Sequence, residues 1–158
     1  MTDPIVRPFR NEDASAVSAL IRTTMRISNA KDYPAEIIER DVAMFTPELV
    51  IRRAAWTHFY VICQGSDILG CGAIGPYWDK EEESSLFNIF VHPAHQGRGL
   101  GRRILETLEQ DTFFLRATRI EIPASITACD FYRKMGYDYK NGISQIDEEG
   151  LFRLEKFR

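Results

Sequence analysis

The chain has 158 residues, a length that supports one well-buried core and is short for two ordinary domains. Its apolar share of 44% and charged share of 27% are typical of a globular protein and exclude a disordered one. The net charge of −3 gives no overall attraction to nucleic acid or to an anionic membrane. We therefore expect a single domain over residues 1–158, with neither nucleic acid nor a membrane as its partner.

Cysteine and histidine usage argues against a metal site or a disulfide framework. Cys63, Cys71 and Cys129 are an odd number without a C-x-x-C pair, which favours buried, reduced thiols. The three histidines lack zinc-like spacing, so no metal is expected. The first residues lack an apolar stretch behind a basic start, and no apolar run reaches membrane-spanning length. These features predict a cytoplasmic protein.

In chain order, hydrophobic periodicity predicts an alternation of helices and strands. The first half reads as a strand, two helices, a further helical turn and a hairpin, at residues 5–9, 11–25, 34–42, 47–55, 59–63 and 68–77, with Asn11 as the cap of the first helix. The second half reads as a charged loop, a strand, a helix, a strand, a helix and two closing strands, at residues 79–83, 86–91, 100–108, 119–122, 128–135, 137–140 and 151–157. This order predicts a mixed α/β (α+β) protein.

A glycine-rich turn between a predicted strand and a predicted helix is the most informative segment. Glycines let backbone N–H groups approach a ligand, and the first N–H groups of a helix have no partner inside the helix. Such a turn is suited to a phosphate or diphosphate, and arginines around it add positive charge. The glycines are Gly97, Gly99 and Gly101, and the arginines are Arg98, Arg102 and Arg103.

Three nucleotide-binding patterns compete for this turn. A Walker loop requires Lys-Ser or Lys-Thr after its glycines, and neither follows here. A dinucleotide fingerprint requires G-x-G-x-x-G, whereas the spacing here is G-x-G-x-G. Glu121 lies at the expected offset for such a fingerprint, but the turn comes too late in the chain for a doubly wound sheet. The third pattern is Gln96-x-x-Gly99-x-Gly101, directly after the strand that ends at Val91.

With this third pattern the chain resembles the GNAT superfamily of N-acetyltransferases, whose diphosphate loop has the form [QR]-x-x-G-x-[GA]. The run Phe131-Tyr132-Arg133-Lys134-Met135-Gly136-Tyr137 is similar to the family's F-Y-x-x-x-G-[FY] segment, and Leu151-Phe-Arg-Leu-Glu-Lys to its last strand. The resemblance covers nearly the whole chain in element order. It implies a single-domain fold with a mixed central sheet of about six to seven strands flanked by about four helices.

The resemblance also implies roles for individual residues. Backbone groups of the fourth strand would pair with the pantetheine arm of acetyl-coenzyme A, and the amides of the loop would hold its diphosphate. The residues so assigned are Ile89, Phe90, Val91, Gln96, Gly97, Arg98, Gly99, Leu100, Gly101 and Arg102. Ser125 stands where many members carry an asparagine that contacts the same arm. Tyr132 would protonate the departing thiolate.

The activity implied by the resemblance is transfer of an acetyl group from acetyl-coenzyme A to the primary amine of a small molecule or peptide. Direct attack by the neutral amine, without a covalent enzyme intermediate, is the implied mechanism. A general base is not evident: the expected neighbourhood holds Glu83, Ser84, Ser85 and Asn88. Many members of the family dimerise, so the resemblance is compatible with a homodimer.

Other interpretations of the same residues stay open at this point. The glycines are equally typical of a simple surface turn, and Tyr132 shares a helical face with Ala128 and Met135, as a packing residue would. A coenzyme A sensor that lost turnover would explain the missing base, and a nucleotide-dependent oxidoreductase is a third hypothesis. Residues considered for an acceptor pocket are Asp32, Tyr33, Trp56, Tyr60, Tyr77 and Trp78.

Overall fold

The computed structural model describes residues 2–158, and its strands form one seven-stranded sheet. In chain order the strands are β1 (Ile5–Pro8), β2 (His58–Gln64), β3 (Asp67–Tyr77), β4 (Lys80–Val91), β5 (Arg119–Ser125), β6 (Asp138–Tyr139) and β7 (Leu151–Phe157). Their order across the sheet is β1-β2-β3-β4-β5-β7-β6. Within this sheet β4 and β5 run parallel and the other neighbours antiparallel. The predicted mixed sheet is confirmed, and this order is not that of a doubly wound parallel sheet.

Six α-helices accompany the sheet, two more than the approximate number expected. They are α1 (Ala14–Ile27), α2 (Ala35–Met44), α3 (Pro47–Trp56), α4 (Leu100–Leu108), α5 (Thr112–Leu115) and α6 (Cys129–Lys134). The predicted single turn at 47–55 is a ten-residue helix, because Pro47 starts it and the Thr46 hydroxyl accepts a hydrogen bond from the Leu49 amide at 3.2 Å. Among residues 2–158, no helix has both the length and the apolar character needed to cross a membrane.

The prediction of a charged loop at residues 79–83 is wrong. The β3–β4 hairpin turns earlier, at Trp78 and Asp79, and β4 already begins at Lys80. The acidic residues there belong to a strand because Glu83 pairs with Arg119 of β5 at 2.8 Å. Cross-strand ion pairs of this kind offset the low strand propensity of charged residues.

Helices cover both faces of the sheet. Neighbouring strand residues point to opposite faces, so that Val61 and Ala73 enter one core whereas Ile62 and Ile74 enter another. Helices α1, α2 and α3 pack on the first face, and α4, α5 and α6 pack on the second. All three cysteines are free and lie buried in or beside these two cores.

Helix α4 lies very close to the sheet. A Cβ atom on Gly72 of β3 would lie 2.6 Å from Cγ2 of Ile104 and 3.2 Å from Cδ1 of Leu108. The glycine therefore leaves the space that α4 occupies. This contact fixes the start of α4, and with it the preceding glycine turn, against the centre of the sheet.

Strands β4 and β5 separate partway along their length. They pair only at Glu83, Ser84 and Ser85 of β4, so the edge of β4 that faces β5 has no strand partner from Leu86 to Val91. A β-bulge accompanies the separation. Cys71 and Ala73 of β3, two residues apart, pair with Phe90 and Phe87 of β4, which are three residues apart. Asn88 in the bulge has a φ of +54°. The gap that opens between the two strands contains the candidate site.

Candidate functional site

Two cavities meet at the gap between β4 and β5. The first, here called the loop cavity, has a volume of about 440 Å³ and is lined by the glycine turn, the end of β4 and the start of α6. The second, the helix cavity, has a volume of about 430 Å³ and is lined by α1, α2, α3 and the middle of β4. Both are lined by Ile89, Phe90, Ser125, Ala128 and Tyr132. The two cavities therefore share a wall.

The glycine turn presents unused amide donors to the loop cavity. Gly97 and Gly99 each have a φ of +78°, and a Cβ atom on either would have no atom within 4 Å. Within residues 2–158, the amides from Gln96 to Arg102 donate no hydrogen bond. Side chains of the protein thus leave the turn open. Free amides at the positive end of α4 form a cradle that favours an anion such as phosphate.

The side chains around the turn have distinct roles in its geometry. Gln96 donates hydrogen bonds to the Ser28 hydroxyl and to the Val91 carbonyl, both at 3.1 Å, so its side chain anchors the turn to α1 and β4. Arg98 contacts the ring of His95 at 2.7 Å, and Arg102 lines the cavity. Arg103, in contrast, reaches back to the carbonyl of Pro4 at 2.9 Å.

The open edge of β4 continues from the turn. Ile89, Phe90 and Val91 line the loop cavity, and Phe90 and Val91 pair on their other side with β3, whereas Ile89 lies in the bulge. An unpaired strand edge offers backbone donors and acceptors to an extended ligand that contains amides. All the residues assigned from the sequence to cofactor binding except Arg98 therefore line one groove, where Leu100 is buried beneath the turn and Gly101 lies beside Phe131.

Tyr132 lies where the two cavities meet. Its ring is buried, with 5% of the residue exposed, and packs in the core beside Phe131 and Tyr137. Its hydroxyl forms no hydrogen bond within residues 2–158. Burial raises the pKa of the Tyr132 phenol. The phenol consequently keeps its proton at neutral pH and has a free donor.

Ser125 ends β5 at the same junction. Its hydroxyl accepts a hydrogen bond from the Ala128 amide at 3.2 Å, just before α6 begins. Ser125 lines both cavities. This position is compatible with the cofactor contact that the resemblance implies for Ser125. The serine side chain is shorter than the asparagine that many family members have there.

None of the residues considered as a general base is free in the structure. Burial disfavours the charge of Glu83, but Lys80 and Arg119 outweigh that effect and hold its pKa below the ordinary value. Ser85 is buried and donates to the Leu86 carbonyl, and Ser84 donates to the Phe113 carbonyl. The Asn88 amide oxygen accepts a hydrogen bond from Arg53 at 2.8 Å.

The helix cavity contains a charged residue, Arg53, that the sequence did not bring to attention. Arg53 of α3 and Asn88 of β4 line it together. Tyr33 lines it as well, and its hydroxyl donates to the Gly150 carbonyl at 2.6 Å and accepts from the Ile126 amide at 2.8 Å. A signal for Arg53 exists in the sequence, since it follows the buried Val50 by one helical turn and so places a charge on the inner face of α3.

Of the six residues considered for an acceptor pocket, Tyr33 alone lines the helix cavity. Tyr60 donates to Asp111 in a separate depression lined by α3, β2 and the segment before α5, and Trp78 is exposed at the tip of a hairpin. Tyr77 packs over Arg119 and Lys140. The aromatic residues were thus a poor guide to the acceptor side of the site.

An anion cradle lies beside an open strand edge, at the point where two strands of a mixed sheet separate, and its amide donors suit a phosphate-bearing ligand. The chain belongs to the acetyltransferase (GNAT) family, whose sequence profile matches residues 22–137. Among curated proteins, no significant match was found.

Solved structures show the same fold. PaiA N-acetyltransferase from Thermoplasma acidophilum, in complex with coenzyme A, superposes with a TM-score of 0.83 at 16% identity, covering 99% of this chain and 100% of that chain. A GCN5-related N-acetyltransferase from Rhodopseudomonas palustris gives 0.80 at 21% identity, covering 100% and 98%. YncA from Salmonella typhimurium, a putative acetyltransferase with acetyl-coenzyme A, gives 0.67 at 16% identity, covering 99% and 94%.

Proposed function

We propose that the protein is an acetyl-coenzyme A-dependent N-acetyltransferase that acetylates a primary amine by direct attack. The observation that carries this proposal is the run of unused amides from Gln96 to Arg102 at the mouth of a groove along the open edge of β4. Family membership and the coenzyme A bound by a protein of the same fold support it. The groove fits a long ligand with a diphosphate at one end and amides along its arm.

The residues around the loop cavity fit acetyl-coenzyme A in three respects. The amides between Gly97 and Arg102 bind the diphosphate, and the guanidinium group of Arg102 neutralises part of its charge. The free edge at Ile89, Phe90 and Val91 pairs with the amides of the arm. When bound, the cosubstrate supplies an acetyl group activated as a thioester.

Beyond the groove, the chain supplies positioning and a proton. The helix cavity holds the acceptor on the opposite side of the shared wall, so that its neutral amine meets the end of the groove. Tyr132 lies on that wall with a protonated phenol, and it donates the proton to the sulfur that leaves. Proton removal from the amine passes through water, because Glu83 is held in ion pairs.

The diphosphate cradle can be tested by one substitution and a matched control. Gly99→Glu places a carboxylate in the open space beside the free amides, so we expect acetyl-coenzyme A affinity to fall at least about a hundredfold, the cost of two charge-assisted hydrogen bonds at about 1.5 kcal/mol each. Isothermal titration calorimetry measures the change. Gly65→Glu is the control, because Gly65 has a similar φ of +61° in the β2–β3 turn, far from both cavities.

Two results would contradict this proposal. Equal affinity in the Gly99→Glu variant and the unsubstituted protein would show that the turn does not bind the cosubstrate. Tight binding without release of thiol on any amine, tested with polyamines, amino acids, aminoglycosides and peptides, would favour a coenzyme A sensor. The observation that favours this second candidate is the ion pair of Glu83, because a carboxylate held by Arg119 is not free to act as a general base.

A further inference from the structure

The helix cavity contains an arginine whose charge has no acidic partner among residues 2–158. Arg53 projects from α3, and its guanidinium lies near the rings of Trp56 and Phe87, 5.6 Å and 5.2 Å from their centroids. Its only hydrogen bond within residues 2–158 runs from Nη1 to the Asn88 side chain at 2.8 Å. Other partly buried arginines of the chain, such as Arg119 and Arg153, pair with carboxylates.

The unused side of this guanidinium has a defined geometry. The aromatic rings and the bond to Asn88 fix its orientation, while Nε and Nη2 form no hydrogen bond within the described residues. Together, Nε and Nη2 form the edge through which a guanidinium can donate to both oxygens of a carboxylate at the same time. Burial lowers the pKa of Arg53, yet a guanidinium stays charged at any physiological pH. A partly desolvated cation of this kind is stabilised by an anion from outside the chain.

The same cavity also has acidic residues at its rim. Arg40 and Asp41 of α2 line it together with Glu148 and Glu149. Arg40 and Asp41 lie 3.2 Å apart and offset each other's charge, Glu149 contacts Arg153 at 3.2 Å, and Glu148 forms no ion pair within residues 2–158. One cavity thus combines Arg53, a cation without a carboxylate partner among the described residues, with the exposed carboxylates of Glu148 and Glu149. That arrangement complements a small molecule that carries both an amine and a single negative charge.

We propose that Arg53 is a specificity-determining residue that binds the carboxylate of the acceptor, so that the acceptors of this protein are amino acids. Nε and Nη2 bind the two carboxylate oxygens, and the amine of the same molecule faces the shared wall near Tyr132. A dianionic phosphate fits less well, because the carboxylates at the rim repel the second charge. The inference rests on the proposed function, since it identifies a carboxylate as the group that the acceptor carries in addition to its amine.

The test compares amino acids with their carboxamides, which keep the amine and lose the negative charge. The measured quantity is the ratio of kcat/KM for each acid to that for its amide, in the unsubstituted protein and in Arg53→Gln. We expect the substitution to lower this ratio by about 10- to 100-fold, as for loss of a charge-assisted hydrogen bond. Arg53→Lys, which keeps the charge without the paired donors, should give an intermediate ratio. Comparing ratios cancels the different basicity of the two kinds of amine.

Arg52→Gln is the matched control, because Arg52 is exposed on the same helix and lines neither cavity. It should leave the ratio unchanged. The inference is overturned if Arg53→Gln has the same ratio as the unsubstituted protein, or if amines without a carboxylate are acetylated and no amino acid is. A purely structural role for Arg53 would lower both rates together and leave their ratio unchanged, which also overturns it.

Calorimetric titration with the same amino acids separates this inference from the proposed function. Binding of amino acids that depends on Arg53, in a protein that acetylates no amine, would overturn the transferase and retain the carboxylate site. Transfer that is independent of Arg53 would retain the transferase and overturn the carboxylate site. If amino acids neither bind nor react, the carboxylate site is overturned whatever the protein does with other amines.

Discussion

Tyr132 combines a packing role with a free hydroxyl, and the two roles can be separated by removing a single oxygen. The ring fills the core between Phe131 and Tyr137, so Phe at position 132 preserves that packing. We expect Tyr132→Phe to bind acetyl-coenzyme A with unchanged affinity and to reduce kcat by about 10²- to 10⁴-fold, the range for loss of a general acid. Steady-state kinetics together with calorimetry measure the two quantities.

A neighbouring tyrosine provides the control for this substitution. The Tyr137 hydroxyl donates to Glu109 at 2.8 Å and lines neither cavity. Tyr137→Phe should therefore cost stability while kcat stays within about threefold of the unsubstituted protein, a difference below 1 kcal/mol. A normal kcat in Tyr132→Phe would show that the Tyr132 ring serves packing alone.

At the scale of elements, the position of the glycine turn depends on how closely α4 approaches β3. A Cβ atom on Gly72 would overlap Ile104, so we expect Gly72→Ala to lower the free energy of unfolding by about 1–3 kcal/mol, the usual cost of overpacking. Urea denaturation measures the loss. In an Ile104→Ala background the clashing methyl group is gone, and Gly72→Ala should then cost markedly less. Strict additivity of the two substitutions would contradict this account of the contact.

The elements differ in how far sequence alone could define them. The turn around Gly99 and the helix after it were predictable, because both depend on residues adjacent in the chain. The start of β4 was not, since Glu83 joins a strand only through Arg119, which lies far along the chain. The role of Arg53 was likewise hidden, because it requires a bulge that brings Asn88 opposite α3. Register and bulges are tertiary features that local periodicity does not encode.

At the scale of the whole molecule, one arginine links three strands on the far side of the gap. Arg119 of β5 pairs with Glu83 of β4 at 2.8 Å and with Glu155 of β7 at 2.8 Å, and it also contacts the buried Glu121. We expect Arg119→Met to lower the free energy of unfolding by about 1–3 kcal/mol, because it removes one partner of the partly buried Glu83 and Glu155 and of the buried Glu121, which keeps Lys140 at 2.8 Å. Arg116→Met is the control, since Arg116 is exposed and packs on Phe113 without an ion pair.

The same network predicts the direction of the pH dependence. Lys80 and Arg119, against the effect of burial, lower the pKa of Glu83 in the folded protein below its ordinary value of 4.5. The stability from this carboxylate is therefore present above pH 4.5 and is lost as the pH falls through the folded value. Urea denaturation between pH 3 and pH 7 should show a shallower dependence for Arg119→Met. An equally steep dependence would show that other groups control acid unfolding.

The wall common to the two cavities links their occupants energetically. Both cavities are bordered by Ile89, Phe90, Ser125 and Tyr132. An extended ligand bound along β4 in one cavity would therefore form part of the surface that a second ligand contacts in the other. Each occupant thereby alters the affinity for the other, and by linkage the effect is equal in both directions. If the protein is the proposed transferase, apparent Michaelis constants for either reactant should therefore depend on the concentration of the other, and the amine should acquire its full set of contacts only inside a ternary complex.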